Sequence, residues 1–229
     1  MPNKRTRPAR TAGESLAEKA YARIESLIVT LKLAPGTMIS EVELGAQLGM
    51  SRTPVGEALL RLDREGLVTI KARRGILVTE ISVASQLRLL EVRREISRLV
   101  ARTGATRAWP EQRDALRALA DEYVAAAQAH DEAALMRADK VFHTLFAQCA
   151  RNEHAARALE SMESQARRFA YAYRLHARDL FGTAKLHADI ARAVADGQVE
   201  LAQQASDALA DRLEAMTRAT LDSGDHRSS

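Results

Sequence analysis

Asp139 and His143 stand four residues apart in Asp139-Lys140-Val141-Phe142-His143, so on a helix a carboxylate and an imidazole project from the same face. A neutral imidazole and a carboxylate at this spacing can share a divalent cation, and the same two groups can also satisfy each other as a polar pair in a core. His187 opens a separate run, His187-Ala188-Asp189-Ile190-Ala191-Arg192-Ala193-Val194. The helical period puts it on the side of Ile190, Ala191 and Val194, an inward face. Three donors with an open coordination position would suit metal-assisted hydrolysis, and that reading stands beside one in which the groups only bind. Other enzyme signatures are missing: no Glu-x-x-His pair precedes His143, His176 or His187, and the sequence has no Walker or Rossmann glycine pattern and no Gly-x-Ser-x-Gly elbow.

A second set of candidates is cationic and belongs to the stretch Glu41 to Val68, EVELGAQLGMSRTPVGEALLRLDREGLV. Leu44 and Leu48 share one face of a short helix that Gly49 ends. Ser51-Arg52-Thr53 then opens a second helix whose apolar side is Val55, Ala58, Leu59 and Leu62. Pro54 fits a first turn, where its missing N–H costs nothing, so Ser51, Arg52 and Thr53 sit at the N-terminus of a reading helix, with Arg52 placed for a phosphate or a guanine edge. Gly66 ends that helix, and Val68–Lys71, Ala72–Gly75 and Ile76–Thr79 read as strand, basic turn and strand, a wing carrying Arg73 and Arg74. Arg61 and Arg64 are either phosphate contacts or the solvated side of the reading helix.

Charge distribution agrees with a nucleic-acid partner. Through Glu80 there are 13 Lys and Arg against 9 Asp and Glu, whereas the remainder has 21 of each, so the formal excess of +4 resides wholly in the N-terminal part. Residues 1–13 read as a disordered basic arm with Lys4, Arg5, Arg7 and Arg10. Lacking an apolar run, they cannot be a secretory signal. No window reaches the roughly 18 apolar residues of a membrane span, and the lone Cys149 cannot form an internal disulfide. The expectation is a cytoplasmic protein with a winged-helix domain over 14–80, a helical domain over 81–222 and a disordered tail at 223–229.

Beyond Ile81 the sequence is rich in Ala, Leu and charged residues, and Pro110 is its one proline. Six helices are expected, over 84–103, 110–130, 131–150, 153–178, 183–196 and 198–221, broken at Gly104, Arg151-Asn152, Gly182 and Gly197. The apolar stripes include Leu87, Leu90, Ile96 and Leu99 on the first, Leu116, Leu119 and Tyr123 on the second, and Phe142, Leu145, Phe146 and Cys149 on the third. They point to an antiparallel bundle large enough to hold a pocket.

Pro35-Gly36, Ser40-Glu41, the run LG-x-SRTPV-x-EAL-x-RL-x-x-EGLV and a wing ending RRG-x-x-V resemble the N-terminal domain of GntR-type bacterial regulators. Val42 and Gly56 stand where such regulators usually carry Arg, which implies an operator unlike that of better-known relatives. The remaining basic contacts fall on Arg52, Arg73 and Arg74. D-x-x-x-H at Asp139 and His143, A-x-N at Ala150 to Asn152, and H-x-x-I-x-x-A-V-x-x-G from His187 resemble the ligand-binding domain of the FCD group of these regulators. That resemblance implies a pocket in which an Asp and three His hold a metal, often zinc or nickel, and an organic-acid effector bound by the metal and by an Arg of the domain's first helix. By position the ligands are Asp139, His143 and His187, and the clamp is Arg93, with Arg94 as its rival. Tyr171 and Tyr173 are placed to wall such a pocket or simply to pack. The fourth ligand falls on Leu209. Asp211, about 200° further around a helix, is poorly placed to replace it.

The expected fold is therefore mainly α, a winged helix-turn-helix followed by an all-α antiparallel bundle. The expected function is that of a non-enzymatic, homodimeric, effector-responsive repressor released from an inverted-repeat DNA operator by a small organic acid. A metal-dependent hydrolase and an effector-free architectural DNA-binding dimer are the alternatives.

Overall fold

The computed structural model describes residues 15–173, 175 and 179–224; the expected arm at 1–13, His176 and the last five residues of the expected tail lie outside them. The chain forms two compact units. One comprises the described residues through Ile28 with Lys32–Thr79, and the other comprises Glu80 onward with Val29–Leu31.

In the first unit α1 (Leu16–Val29) carries Ala20, Ile24 and Ile28 at i, i+4 and i+8, all fully buried, so it closes the core of the helix-turn-helix. Neither α1 nor the two-residue strand β1 (Met38–Ile39) was evident as an element in the sequence. Helix α2 (Glu41–Leu48) begins where the Ser40 hydroxyl accepts from the Val42 and Glu43 amides and ends at Gly49 with φ of 65°. Pro54 lies in the first turn of α3 (Arg52–Arg64). Strands β2 (Val68–Lys71) and β3 (Gly75–Val78) form the wing, and β1 pairs with the other edge of β3, all antiparallel.

The second unit holds α4 (Val83–Arg107), α5 (Pro110–Gln128), α6 (Glu132–Cys149), α7 (Glu153–Ala172), α8 (Leu180–Ala195) and α9 (Val199–Gly224). Two expected breaks do not occur. Gly104 lies inside α4, where a Cβ would come within 3.3 Å of Cys149 Cβ and 3.4 Å of Val194 Cγ1; the missing side chain serves close helix packing. Gly182 lies in the first turn of α8, against the Asp179 carboxylate. Asn152 has a local reason to stand where it does, since its side chain accepts from the His154 and Ala155 amides and starts α7. No helix among the described residues is long and apolar enough to cross a membrane.

Arg113 ties three helices together. It donates to the carbonyls of Ala105 and Ala108 at the end of α4, and of Val194 and Ala195 at the end of α8, over 2.8–3.2 Å. A guanidinium thus satisfies the orphan carbonyls and the negative dipole ends of two helices at once. Arg113→Ala is expected to cost about 3 kcal/mol, the scale of charged hydrogen bonds lost from a half-buried site. In a bundle of this size that lowers the melting temperature by roughly 8 °C, measurable by calorimetry.

Candidate DNA-binding surface and effector site

Ser51, Arg52 and Thr53 are exposed at the start of α3, and Ser51 makes no side-chain cap there. The Arg52 side chain is 73% exposed and rests 3.3 Å from Glu41. Arg73 and Arg74 are exposed in the wing turn, which closes through the Arg74 amide on the Lys71 carbonyl with Arg73 at φ of 61°. Arg61 is placed otherwise. Its Nε donates to Glu65 at 2.8 Å and its guanidinium lies 3.8 Å over the Tyr21 ring, so it fastens α3 to α1 and does not present a free cation for DNA. Arg64 is exposed. At Gly56 a Cβ would meet Glu41 Oε1 at 2.6 Å, so a side chain there must turn aside the carboxylate that also accompanies Arg52.

Within the second unit α6 and α8 bring Asp139, His143 and His187 together, with one donor atom of each inside 4.8 Å of the others. Nδ1 of His187 lies 2.8 Å from the Thr183 carbonyl, which can only accept, so Nδ1 carries the proton and Nε2 keeps its lone pair. That lone pair faces Asp139 Oδ1 at 3.5 Å, and His143 Nε2 is 3.4 Å from the same oxygen. Two acceptors turned toward each other repel unless a cation lies between them. Donors about 2.1 Å from a tetrahedral ion are themselves about 3.4 Å apart, so the residues present fit a divalent metal. Tyr123 stacks on His187 at 5.3 Å, and burial together with the neighbouring Asp139 carboxylate, toward which its hydroxyl is directed, raises the phenol's pKa.

Arg93 turns inward and donates to Glu163 Oε2 at 2.8 Å, both side chains being largely buried. Glu163, on α7, also lies 3.6 Å from His143 Nε2. Arg94 instead meets Asp211 at 2.6 Å and Glu214 at 3.5 Å, which removes it as a rival clamp and keeps Asp211 occupied away from the donors. Tyr173 is not brought to this group. It lies ten residues past Glu163, about 15 Å along the helix axis, with its ring against Phe169 at 4.5 Å. Tyr171 is exposed. The aromatic walls are Tyr123 and Phe142, the latter edge-on to both imidazoles. An apolar recess of about 440 Å3 opens on another face, near Val124, Phe181 and Ala188; its rim cations Lys185 and Arg192 are paired with Asp189 and Asp121.

Residues 16–78 match the family model for bacterial regulatory proteins of the gntR family, and residues 88–212 match that for the FCD domain. The chain belongs to the GntR family, with an FCD domain. It is 34% identical over 147 residues, 61% of this chain and 86% of the relative, to an uncharacterized HTH-type transcriptional regulator of Agrobacterium vitis from the TAR-I ttuE-ttuC' intergenic region. It is 28% identical over 169 residues to the Nta operon transcriptional regulator of Aminobacter aminovorans, covering 69% of this chain and 80% of that one. The HTH-type transcriptional repressor RspR of Escherichia coli is 36% identical over 89 residues, 39% of each chain. The fold is shared with E. coli McbR/YncC, at a TM-score of 0.74 and 17% identity over 90% of this chain and 99% of that one.

A GntR-family regulator of this kind binds operator DNA through its winged helix and small molecules through its FCD domain. In the FCD domain of this chain Leu209 is buried in the core formed with Ile190 and Val194, so α9 turns this position inward without offering a donor. When bound, a metal would supply Lewis-acid attraction for an anionic ligand, and Asp139, His143 and His187 are the residues that would hold it. Glu163 and Tyr123 were not singled out as site residues by sequence reasoning; only Tyr123 carried any signal, as a member of the apolar stripe of α5.

Burial holds the His187 imidazole down at about 4, whereas His143 is displaced upward: burial disfavours its charge, but the Glu163 and Asp139 carboxylates outweigh it. Between pH 4 and 6.5 the unfolded chain protonates His187 and the folded chain does not, so this residue's stabilisation is present above about 6.5 and is lost toward 4, about 3 kcal/mol in all. His143 acts oppositely, its contribution being complete below its unfolded value and lost as pH rises through the raised folded one. In chelator-treated protein, His187→Gln should flatten the acid limb of stability against pH, and His143→Gln the alkaline limb, in urea melts from pH 4 to 9. Superimposable profiles would contradict these proton positions.

Proposed function

We propose that this GntR-family regulator is a homodimeric repressor that an organic-acid effector, bound in the FCD domain beside Asp139, His143, His187 and Arg93, releases from an inverted-repeat operator. The observation that carries the reading is the lone pair of His187 Nε2 facing the Asp139 carboxylate, with a guanidinium nearby: the group calls for a cation, and cation plus Arg93 call for an anion. The dimer sets two α3 helices at a fixed separation, which an inverted repeat matches. An effector that favours one domain arrangement lowers operator affinity by its differential binding, and a coupling of about 1–3 kcal/mol amounts to some 5- to 150-fold.

The test begins by selecting bound sequences from random duplex DNA with full-length protein, which should enrich a two-fold symmetric site. Fluorescence anisotropy on that site is then titrated with sugar acids, hydroxy acids and aromatic acids, with and without zinc or nickel. Release by one class, dependent on metal, supports the reading. A protein that binds the site but none of the acids is the architectural dimer, and turnover of an acid or ester would make it the hydrolase.

A further inference from the structure

Glu163 sets a carboxylate of the protein's own where a ligand carboxylate would have to dock. Its Oε2 accepts from Arg93 at 2.8 Å, while its Oε1 lies 3.6 Å from His143 Nε2 and 3.9 Å from Arg167 Nε, and its side chain is only 18% exposed. These three nitrogen groups come from α4, α6 and α7, the helices that would enclose a bound acid. We propose that Glu163 is a built-in competitor for the effector's carboxylate, displaced from Arg93 when the effector binds, and that this exchange makes the site select acids carrying a second anchoring group.

The inference rests on the reading that the effector is an acid bound at Arg93. A guanidinium already paired at 2.8 Å gains nothing from exchanging one carboxylate for another, and the exchange leaves Glu163 buried without its partner. A monocarboxylate therefore binds poorly. A dicarboxylate or hydroxy acid offsets the loss by reaching a second group, and the donor triad supplies one.

The exchange is tested by calorimetric titration of full-length protein with malonate and with acetate, in zinc-loaded and chelated form, for the wild type, Glu163→Gln, Glu163→Asp and Arg93→Ala. Glu163→Gln should bind malonate about tenfold more tightly than wild type, the size of one charged hydrogen bond no longer contested, and should narrow the preference for malonate over acetate. Glu163→Asp, whose shorter arm draws the carboxylate back from Arg93, should be intermediate, and Arg93→Ala should lose binding. If wild type binds malonate and neither Glu163 variant binds it more tightly, the competitor role is overturned while the acid-effector reading stands. If no protein of the set binds either acid, the inference is overturned, since it requires a dicarboxylate to reach Arg93, and the acid-effector reading is decided on its own by the wider panel of acids. Should Glu163→Gln not fold, the aspartate variant decides alone: an affinity equal to or below wild type overturns the proposal.

Discussion

Arg52→Ala is expected to weaken specific operator binding by about 1–3 kcal/mol, roughly 5- to 150-fold, and to relax sequence preference at one position in each half-site. Its side chain is 73% exposed, with one carboxylate 3.3 Å away, so its loss leaves the core of α3 untouched and the effect is read on a folded protein. The wing arginines should behave differently. Arg73 and Arg74 stand on an exposed turn with phosphate as the natural target, so alanine at either should weaken all sequences alike and lower the salt slope by about one. Arg61→Ala should instead lower the melting temperature, because Arg61 joins Tyr21 and Glu65 in holding α3 to α1. Competition binding on the selected site and on random duplex, each at several salt concentrations, separates the three patterns. Unchanged specific binding in folded Arg52→Ala protein would show that α3 does not enter the groove by its N-terminus.

What could be read from the sequence was what short-range chemistry encodes. Gly49, Pro54 and Gly66 act on amides and dihedrals within a few residues, so the helix-turn-helix and its wing were legible to within a residue or two. Asp139 and His143 were legible because four residues is one helical turn, and His187 because its neighbours mark an inward face. What failed depends on distant approach. Nothing within Glu153–Ala172 distinguishes Glu163 from Glu160; Glu163 matters because Arg93, seventy residues earlier, packs against it. Arg61 looked like a solvated cation because Tyr21 belongs to a helix forty residues away. Gly104 reads locally as a helix stop, yet it marks where α4 meets Cys149 of α6 and Val194 of α8. Tyr173 read as a wall for a pocket and Tyr123 only as part of an apolar stripe; the Tyr173 ring against Phe169 and the stacking of Tyr123 on His187 exchange their places.

Leu209→His should have opposite effects on the metal-free and metal-loaded protein. Leu209 is 9% exposed and packed in the core of the bundle, so an imidazole in its place gives up apolar burial and hides a polar ring, a cost of about 2 kcal/mol that should lower the melting temperature of chelated protein. With a divalent ion the same ring becomes a fourth donor to a group in which the two edges from Asp139 Oδ1, 3.4 and 3.5 Å, are those of tetrahedral coordination, and the cost is reversed. Metal retained through dialysis, read by elemental analysis, should then rise about tenfold or more over wild type, and zinc should raise the variant's melting temperature more than the wild type's. Wild type, with three side-chain donors, should hold metal weakly and keep a coordination position for the acid, so its effector response should vanish on chelation. A folded variant that is destabilised with and without zinc alike, and retains no more of it, would mean that α9 presents residue 209 to the core beside the donors and not to them. Whether wild type uses a metal at all is decided separately: an effector response that survives chelation would leave His143 and His187 as direct contacts to the acid, with Asp139 as their polar partner.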